Sequence, residues 1–316
     1  MTGYIIRRLA IAIVVTFGIA LITFLLLHFL EPSPVYDVLG NKASPIAVKV
    51  WNQQHGYDRP VLAQFFSYVG GLVHLNLGYS YKLDQTVGAL FKENLGRSAY
   101  LTLAALVLSL VIAIPLGIAQ AVKRNTIGDY AATTINFILY SMPSFFLGLI
   151  LIQLLALDLG IFPATVSDNI TTTWGAITHP LQLTLPIVTL AVINVASFSR
   201  YMRSSALDNL AQDYIRLARA KGLSEKAVLS RHLLRNACLP MITLVGLSIP
   251  TLIAGNLLIE VLFNYQGLGL LFYTALGNQD YNILLAYTIF GGFLTVLGNL
   301  MADVAITVAD PRVRLA

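Results

Sequence analysis

The chain has 316 residues, of which 57% are apolar and 11% charged, with a net charge of +5 from 20 Lys and Arg against 15 Asp and Glu. An ordinary soluble domain carries about 25% charged residues, so a water-covered globular enzyme is excluded, and the wealth of Leu, Ile, Val and Phe excludes a disordered chain. The single cysteine, Cys238, excludes an intrachain disulfide, a CxxC redox pair and a cysteine-built zinc site.

Six long stretches carry no Asp, Glu, Lys or Arg: 9–30, 98–122, 130–157, 169–199, 236–259 and 281–302, with 22, 25, 28, 31, 24 and 22 residues. In the fourth, the apolar part begins near Pro180. Roughly 20 apolar residues in a helix cross a hydrocarbon core of about 30 Å. The runs are apolar all round rather than striped, as lipid-embedded helices are. They predict an all-α membrane protein with six transmembrane helices. The first run is longer than a signal-peptide core, and Glu31-Pro32-Ser33-Pro34 offers no small-x-small cleavage site. It therefore reads as an anchoring helix behind Arg7-Arg8.

Lys and Arg set the orientation. The N-terminus carries Arg7 and Arg8, the second loop Lys123 and Arg124, the stretch 199–239 eight, and the tail Arg312 and Arg314, together 14 of the 20. The short loops 157–179 and 264–281 carry none. By the positive-inside rule both termini are cytoplasmic and 31–97 is extracytoplasmic. The +5 is thus a membrane pattern and requires no nucleic-acid partner. The division expected is 1–30 as cytoplasmic anchor and first helix, 31–97 as a small extracytoplasmic helical loop domain, and 98–316 as a five-helix transmembrane core that includes the cytoplasmic segment 199–239.

Within 31–97, Ser44-Pro45 reads as an N-cap with proline at the first helical position, and Gly56 as the stop. Pro60 opens a second helix through Val61, Leu62, Phe65, Phe66 and Val69, ending at Gly70-Gly71. Asp84 is placed to cap a third, with Val87, Leu90 and Phe91 at helical spacing. Such a cap over the membrane either touches a delivery protein, gates an entrance or simply shields helix ends.

Inside the runs, Pro115, Pro143, Pro186 and Pro250 can kink helices, and Gly246, Gly255, Gly291, Gly292 and Gly298 permit close packing. The few ionisable groups, His28, Asp158, Glu260 and Asp303, fall toward run ends, which favours capping or interfacial pairing over a mid-membrane proton relay. The histidines His28, His55, His74, His179 and His232 show no metal-ligand spacing. No GxxxxGK[ST] loop occurs, so this chain is expected to hold no cofactor, to bind no ATP and not to be an enzyme.

The segment 199–239 is long for a helix connection and reads as two helices. One spans about 207–221, with Leu210, Tyr214, Leu217 and Ala218 on one face, and Gly222 at its left-handed C′ position. Ser224 caps the second, with Glu225 in its first turn. On these residues the segment resembles the "EAA" signature of ABC importer permeases: Ala218-Arg219-Ala220-Lys221-Gly222, then Arg235-Asn236-Ala237 and Leu239-Pro240. Asp213-Tyr214 and Leu223 extend the likeness to the dipeptide/oligopeptide/nickel branch. Tyr4-Ile5-Ile6-Arg7-Arg8-Leu9, His74-Leu75-Asn76-Leu77-Gly78-Tyr79-Ser80, Ser141-Met142-Pro143-Ser144-Phe145 and Asp310-Pro311-Arg312-Val313-Arg314 also match its B-type permease, in order. Two positions depart from the pattern. Gln266 stands where the family has proline before Gly267-Leu268-Gly269, and Asn282 stands where proline usually follows Asp280-Tyr281.

The resemblance implies a permease subunit in the bacterial inner membrane that imports di- or oligopeptides. It implies a second homologous permease, two cytoplasmic ATP-binding subunits that hold ATP and Mg, and an extracytoplasmic substrate-binding protein, all around a lipid-embedded core. Tyr214, Ala218, Arg219, Ala220, Gly222 and Leu223 are then the expected ATPase-coupling surface: the alanines allow close approach, Arg219 pairs with carboxylates and Gly222 makes the turn. Import of nickel chelates or another small solute is the alternative within the class. An ATP-independent secondary transporter or channel is the alternative outside it, and a structural membrane scaffold the weakest.

Overall fold

A computed structural model describes residues 2–309 other than 31, 32, 34 and 41, and most of these are helical. The tail motif with Arg312 and Arg314, most of the 31–34 motif, and the side chains of Asp303 and Pro250 lie outside the described residues.

Among the described residues, four helices are long and apolar enough to cross a membrane: residues Ile6–Phe29 of α1 (Thr2–Leu30), α5 (Val87–Val122), α9 (Pro180–Leu210), and Tyr281–Ala302 of α16 (Tyr281–Ala309). The third run is not straight. α6 (Ile127–Ser141) and α7 (Ser144–Leu151), which continues as a π-helical stretch Ile152–Asp158, meet at 107° and count as one further candidate span. Pro143 is the cause: it lacks an N–H and forces the residue before it out of the helical region, so Met142 is extended at ψ 131°. The fifth run forms α13 (Leu239–Ala254), shorter than the four long helices at 16 residues. By contrast, Pro115 and Pro186 lie inside unbroken helices.

α5 and α9 form the centre and pack along most of their length. Leu101, Ala105, Ala113, Leu183 and Met202 are fully buried there. The contact is closest at Gly117, where a Cβ would lie 2.7 Å from Met202 Cβ and from the Ser199 carbonyl. α13 and α1 pack against α16. The outward faces carry large apolar groups: Val14 is 69% exposed and Phe137 65%. A surface of that kind requires lipid or partner helices to cover it.

At one end of this bundle lie α2 (Val35–Leu39), α3 (Pro45–His55), α4 (Val61–Val73) and a two-stranded antiparallel hairpin, β1 (Tyr79–Ser80) with β2 (Gln85–Thr86). Ser44 caps α3 through the Ala47 N–H, and Gly56 closes it at φ 77°, as the residue types predict. α4 runs through Gly70-Gly71 to Val73, because Phe65 and its neighbours pack on Ala20 of α1 and on Leu285 and Ile289 of α16. The expected third helix does not exist as a separate element. Asp84 sits at φ 53° in the turn between the strands and accepts the Tyr79 hydroxyl. Thr86 is the cap, and its helix continues unbroken to Val122. The sequence boundary at 97/98 therefore falls inside α5: Gly96 and Ser98 flank it without ending the helix, and the Ser98 hydroxyl is engaged with Glu260 rather than capping a new start. The remaining elements are α8 (Thr173–Thr178), α10 (Asp213–Ala220), α11 (Glu225–Ala227), α12 (Leu234–Ala237), α14 (Leu257–Leu262) and α15 (Leu268–Gly277).

Candidate functional site

α9 extends past its apolar part to Leu210, so the helix expected over 207–221 is split. The chain breaks at Ala211 and Gln212 and restarts as α10. The break shifts the helical phase and corrects the expected face. Ile215 and Ala218 are the buried pair, while Leu217 is 56% exposed. Tyr214 is half-buried and donates its hydroxyl to Asn209 Oδ1 at 2.6 Å. Ala218, expected on a surface open to a partner, packs instead into the chain's own core.

The end of α10 is a Schellman closure. Gly222 stands at φ 77°, its N–H donates to the Arg219 carbonyl at 2.9 Å, and the Leu223 N–H donates to the Ala218 carbonyl at 3.3 Å. No atom lies within 4 Å of a Cβ built on Gly222, so backbone conformation alone demands glycine there. Ser224 Oγ accepts the Ala227 N–H and starts α11. The helix widens into a π-helical stretch, Val228–Leu233, and continues as α12. Arg219 spans the turn: its Nε lies 2.8 Å from Glu225 Oε1 and its second nitrogen 3.3 Å from Oε2. Of the six predicted coupling residues, Arg219, Ala220 and Gly222 are exposed, Tyr214 and Leu223 half-buried and Ala218 buried. The exposed tip therefore consists of Leu217, Arg219, Ala220, Lys221 and Gly222. Cys238 follows α12, and burial pushes its thiol pKa up, so it is not an activated nucleophile.

One apolar cluster runs from the tip into the bundle. Ile215 and Ala218 of α10 meet Val228, Leu233 and Ala237, and these share a core with Phe198, Met202 and Ala206 of α9 and with Ala113 and Ala121 of α5. The segment thus has no soft joint to α9. A force on the tip moves packed side chains that do not compress.

A second feature escaped the sequence reading. Asp129, at the start of α6, is buried, and Arg203 of α9 grips it with two bonds of 2.8 Å. The Asn125 N–H adds a third at 3.0 Å. One level up the same helices, Asn136 donates to Ser199 at 2.8 Å. The signal was present: Asp129 borders the third run and Arg203 lies just beyond the fourth, charges at matching depth in neighbouring helices.

At the opposite end of the bundle Glu260 is fully buried. Ser98 donates to its Oε1 at 2.7 Å, with the Asn256 N–H at 3.2 Å, while Oε2 takes the Gly269 N–H at 2.7 Å and the Leu270 N–H at 3.2 Å. The carboxylate caps the N-terminus of α15 and closes the loop between α14 and α15. The two departures from the family pattern sit nearby with defined partners. Gln266 accepts from Arg97 at 3.1 Å, and Asn282 donates to the Tyr79 carbonyl at 2.7 Å. Asp158, by contrast, is exposed and accepts from Gln153 at 2.8 Å. Among the described residues, no group of three or more His, Cys, Asp or Glu is placed to hold a metal ion.

Comparison with known proteins agrees over the whole length. Residues 113–315 match the family described as "Binding-protein-dependent transport system inner membrane component", and residues 1–102 match the N-terminal model of the same membrane components. The chain is 36% identical over 314 residues to the oligopeptide transport system permease protein AppB of Bacillus subtilis, with 99% of each chain covered. It is 34% identical over 339 residues to the dipeptide transport system permease protein DppB of Escherichia coli K12, again with 99% of each covered. A putative peptide permease protein of Brucella ovis is 32% identical over 318 residues, covering 100% of both.

Proposed function

We infer from one premise, that this chain belongs to the binding-protein-dependent transport inner membrane components, that it is a permease subunit of an ATP-driven importer of di- and oligopeptides. Its multi-pass placement in the inner membrane goes with that family and with its long apolar helices. The finer reading has six spans, with the bent α6–α7 pair and α13 among them, and both termini cytoplasmic. It keeps residues 31–97 outside and makes 98–316 the permease core. A second homologous permease completes the pathway, an extracytoplasmic binding protein delivers substrate, and two cytoplasmic subunits hold ATP and Mg.

The observation that carries this reading is the tip at Leu217–Gly222, borne on a core continuous with α5 and α9. A channel has no use for such a handle. A docked ATPase that shifts α10 also shifts α9 through Ile215 and Ala218, and shifts α6 through the Arg203–Asp129 pair. Tilting whole helices in this way is how packed elements transmit a small displacement. Arg219, tied to Glu225 within the chain, serves first to stiffen the turn and second to present charge to the motor.

The test is reconstitution with the partner subunits in liposomes. Radiolabelled dipeptide uptake should require ATP and the binding protein. Gly222→Val places a β-branched residue at φ 77° and costs about 1–2 kcal/mol at the turn. It should abolish peptide-stimulated ATP hydrolysis while the chain still inserts. Uptake by this chain alone without ATP, or normal coupling in the variant, would overturn the reading.

A further inference from the structure

The limb that returns from the Gly222 turn to α13 carries its charge on one face. Val228, Leu233 and Ala237 are fully buried there, a spacing of five residues and then four. Five residues of α-helix turn the chain by about 500° and leave the fifth about 140° from the first, so an α-helix would put Val228 and Leu233 on different faces. The π-helical stretch Val228–Leu233 removes the conflict, because its bonds reach five residues back, as from the Leu234 N–H to the Leu229 carbonyl. Lys226, Arg231 and Arg235 repeat the same five-then-four spacing, and all three are exposed. The widened turn thus keeps two stripes in line, an apolar one against the core and a basic one facing outward.

The basic residues of 199–239 fall into two sets. Arg203, Arg216 and Arg219 are paired with Asp129, Asp213 and Glu225. Lys226, Arg231 and Arg235 have no ion pair and no side-chain hydrogen bond among the described residues. The sequence offers them no acid nearby, since Glu225 is engaged by Arg219 and no Asp or Glu occurs from 226 to 259. The unpaired charge is therefore collected on α11 and α12, while the coupling turn neutralises its own.

The level of the stripe follows from the shared core. Ala237 belongs to one cluster with Ala121, close to the end of α5, and with Met202 and Ala206 of α9. Lys123 and Arg124, the first charges after the apolar run of α5, follow Ala121 directly. On the other side of Arg235, the apolar helix α13 begins at Leu239. Arg235 accordingly stands where apolar helices give way to charge, which is the level of lipid headgroups. Nine residues of helix from there to Lys226 span about 13 Å. A headgroup layer of about 5–7 Å and a Debye length of about 8 Å together reach all three side chains.

We propose that the face of α11–α12 bearing Lys226, Arg231 and Arg235 binds anionic phospholipid headgroups of the cytoplasmic leaflet. A row of cations beside a membrane helix, with no acids of its own, complements a sheet of lipid phosphates, and the two guanidinium groups fit phosphate oxygens in pairs. The proposal rests on the cytoplasmic placement of 199–239 and not on what is imported.

The experiment uses the full chain in nanodiscs, with a fluorophore on Ser230→Cys in a Cys238→Ser background, since Ser230 is exposed beside the stripe. Quenching by headgroup-labelled phosphatidylglycerol should exceed that by headgroup-labelled phosphatidylcholine about threefold at equal mole fraction. The preference should vanish in the triple variant Lys226→Gln, Arg231→Gln, Arg235→Gln and at high salt, and survive in Arg231→Lys with Arg235→Lys. Equal quenching by the two lipids, or an unchanged preference in the triple variant, would overturn the proposal. So would loss of co-purifying ATPase subunits from the triple variant in neutral lipid, since the face would then belong to the motor. A membrane-impermeant maleimide should reach Ser230→Cys in inverted vesicles alone. Labelling from the outside would overturn the topology and the leaflet assigned with it, whereas labelling from the inside without a lipid preference overturns this proposal alone.

Discussion

Asp129 and Glu260 are both buried carboxylates beside the α5–α9 core, and the molecule satisfies them in opposite ways. Asp129 is held by a cation from another helix, 74 residues away. Glu260 is held by neutral donors, three of them backbone N–H groups within 10 residues of it. The first arrangement ties two helices to each other, because a charge pair is broken only at the cost of a stranded charge. The second fixes the shape of a loop, because backbone donors are available wherever a chain turns around a carboxylate. A buried carboxylate thus acts as a strut at the end bearing α10–α12 and as a local template at the opposite end.

The largest effect should come from breaking the strut. Asp129→Asn leaves Arg203 facing a neutral amide with its charge uncompensated; because the Arg203 side chain keeps 27% exposure, the cost falls at the low end of the about 3–5 kcal/mol of a fully buried pair. Thermal unfolding in detergent should fall steeply, and the double variant Asp129→Asn with Arg203→Met should recover part of the loss. If the single variant unfolds like wild type, the pair is no strut.

Glu260→Gln should cost less. An amide offers one acceptor oxygen where the carboxylate offers two, and its NH₂ would face the Gly269 or Asn256 N–H. Each stranded donor costs about 1–3 kcal/mol. The damage should be local, read as faster hydrogen exchange across 256–270 with the α6–α9 contact still protected. Exchange rising equally at both ends would erase the contrast drawn above.

The smallest change in stability belongs to the exposed tip. Leu217→Ala touches nothing in the core and should shift unfolding by no more than about 0.5 kcal/mol. Its effect should appear instead as weaker co-purification of the ATPase subunits. Full retention of the partner at normal stoichiometry would remove Leu217 from the docking surface.

Much of the site was legible before the structure. Gly222 and Ser224 announced a helix end and a new start, and both stand where the residue types placed them, because left-handed backbone and N-caps are local demands that few residues meet. The buried face of α10 was not legible. The reading assumed one continuous helix over 207–221, and the break at Ala211-Gln212 turned Leu217 outward and Ile215 inward. Neither residue at the break is a glycine or proline, so no local signal marked it. The separate helix expected from Asp84 failed for a related reason: Asp84 suits a turn as well as a cap, and the hairpin claimed it.

The sequence by itself determined the membrane class, the apolar runs, the helix–turn–helix within 199–239 and the glycine at its turn. Those follow from hydropathy and from backbone preferences, which act over a few residues. Only the tertiary structure decided that 130–157 bends, that α5 begins in the extramembrane part, and that Arg203 answers Asp129. It also decided that four tyrosines share a cleft with Arg59. These depend on which helices become neighbours, and packing in three dimensions sets that where a single run of residues cannot.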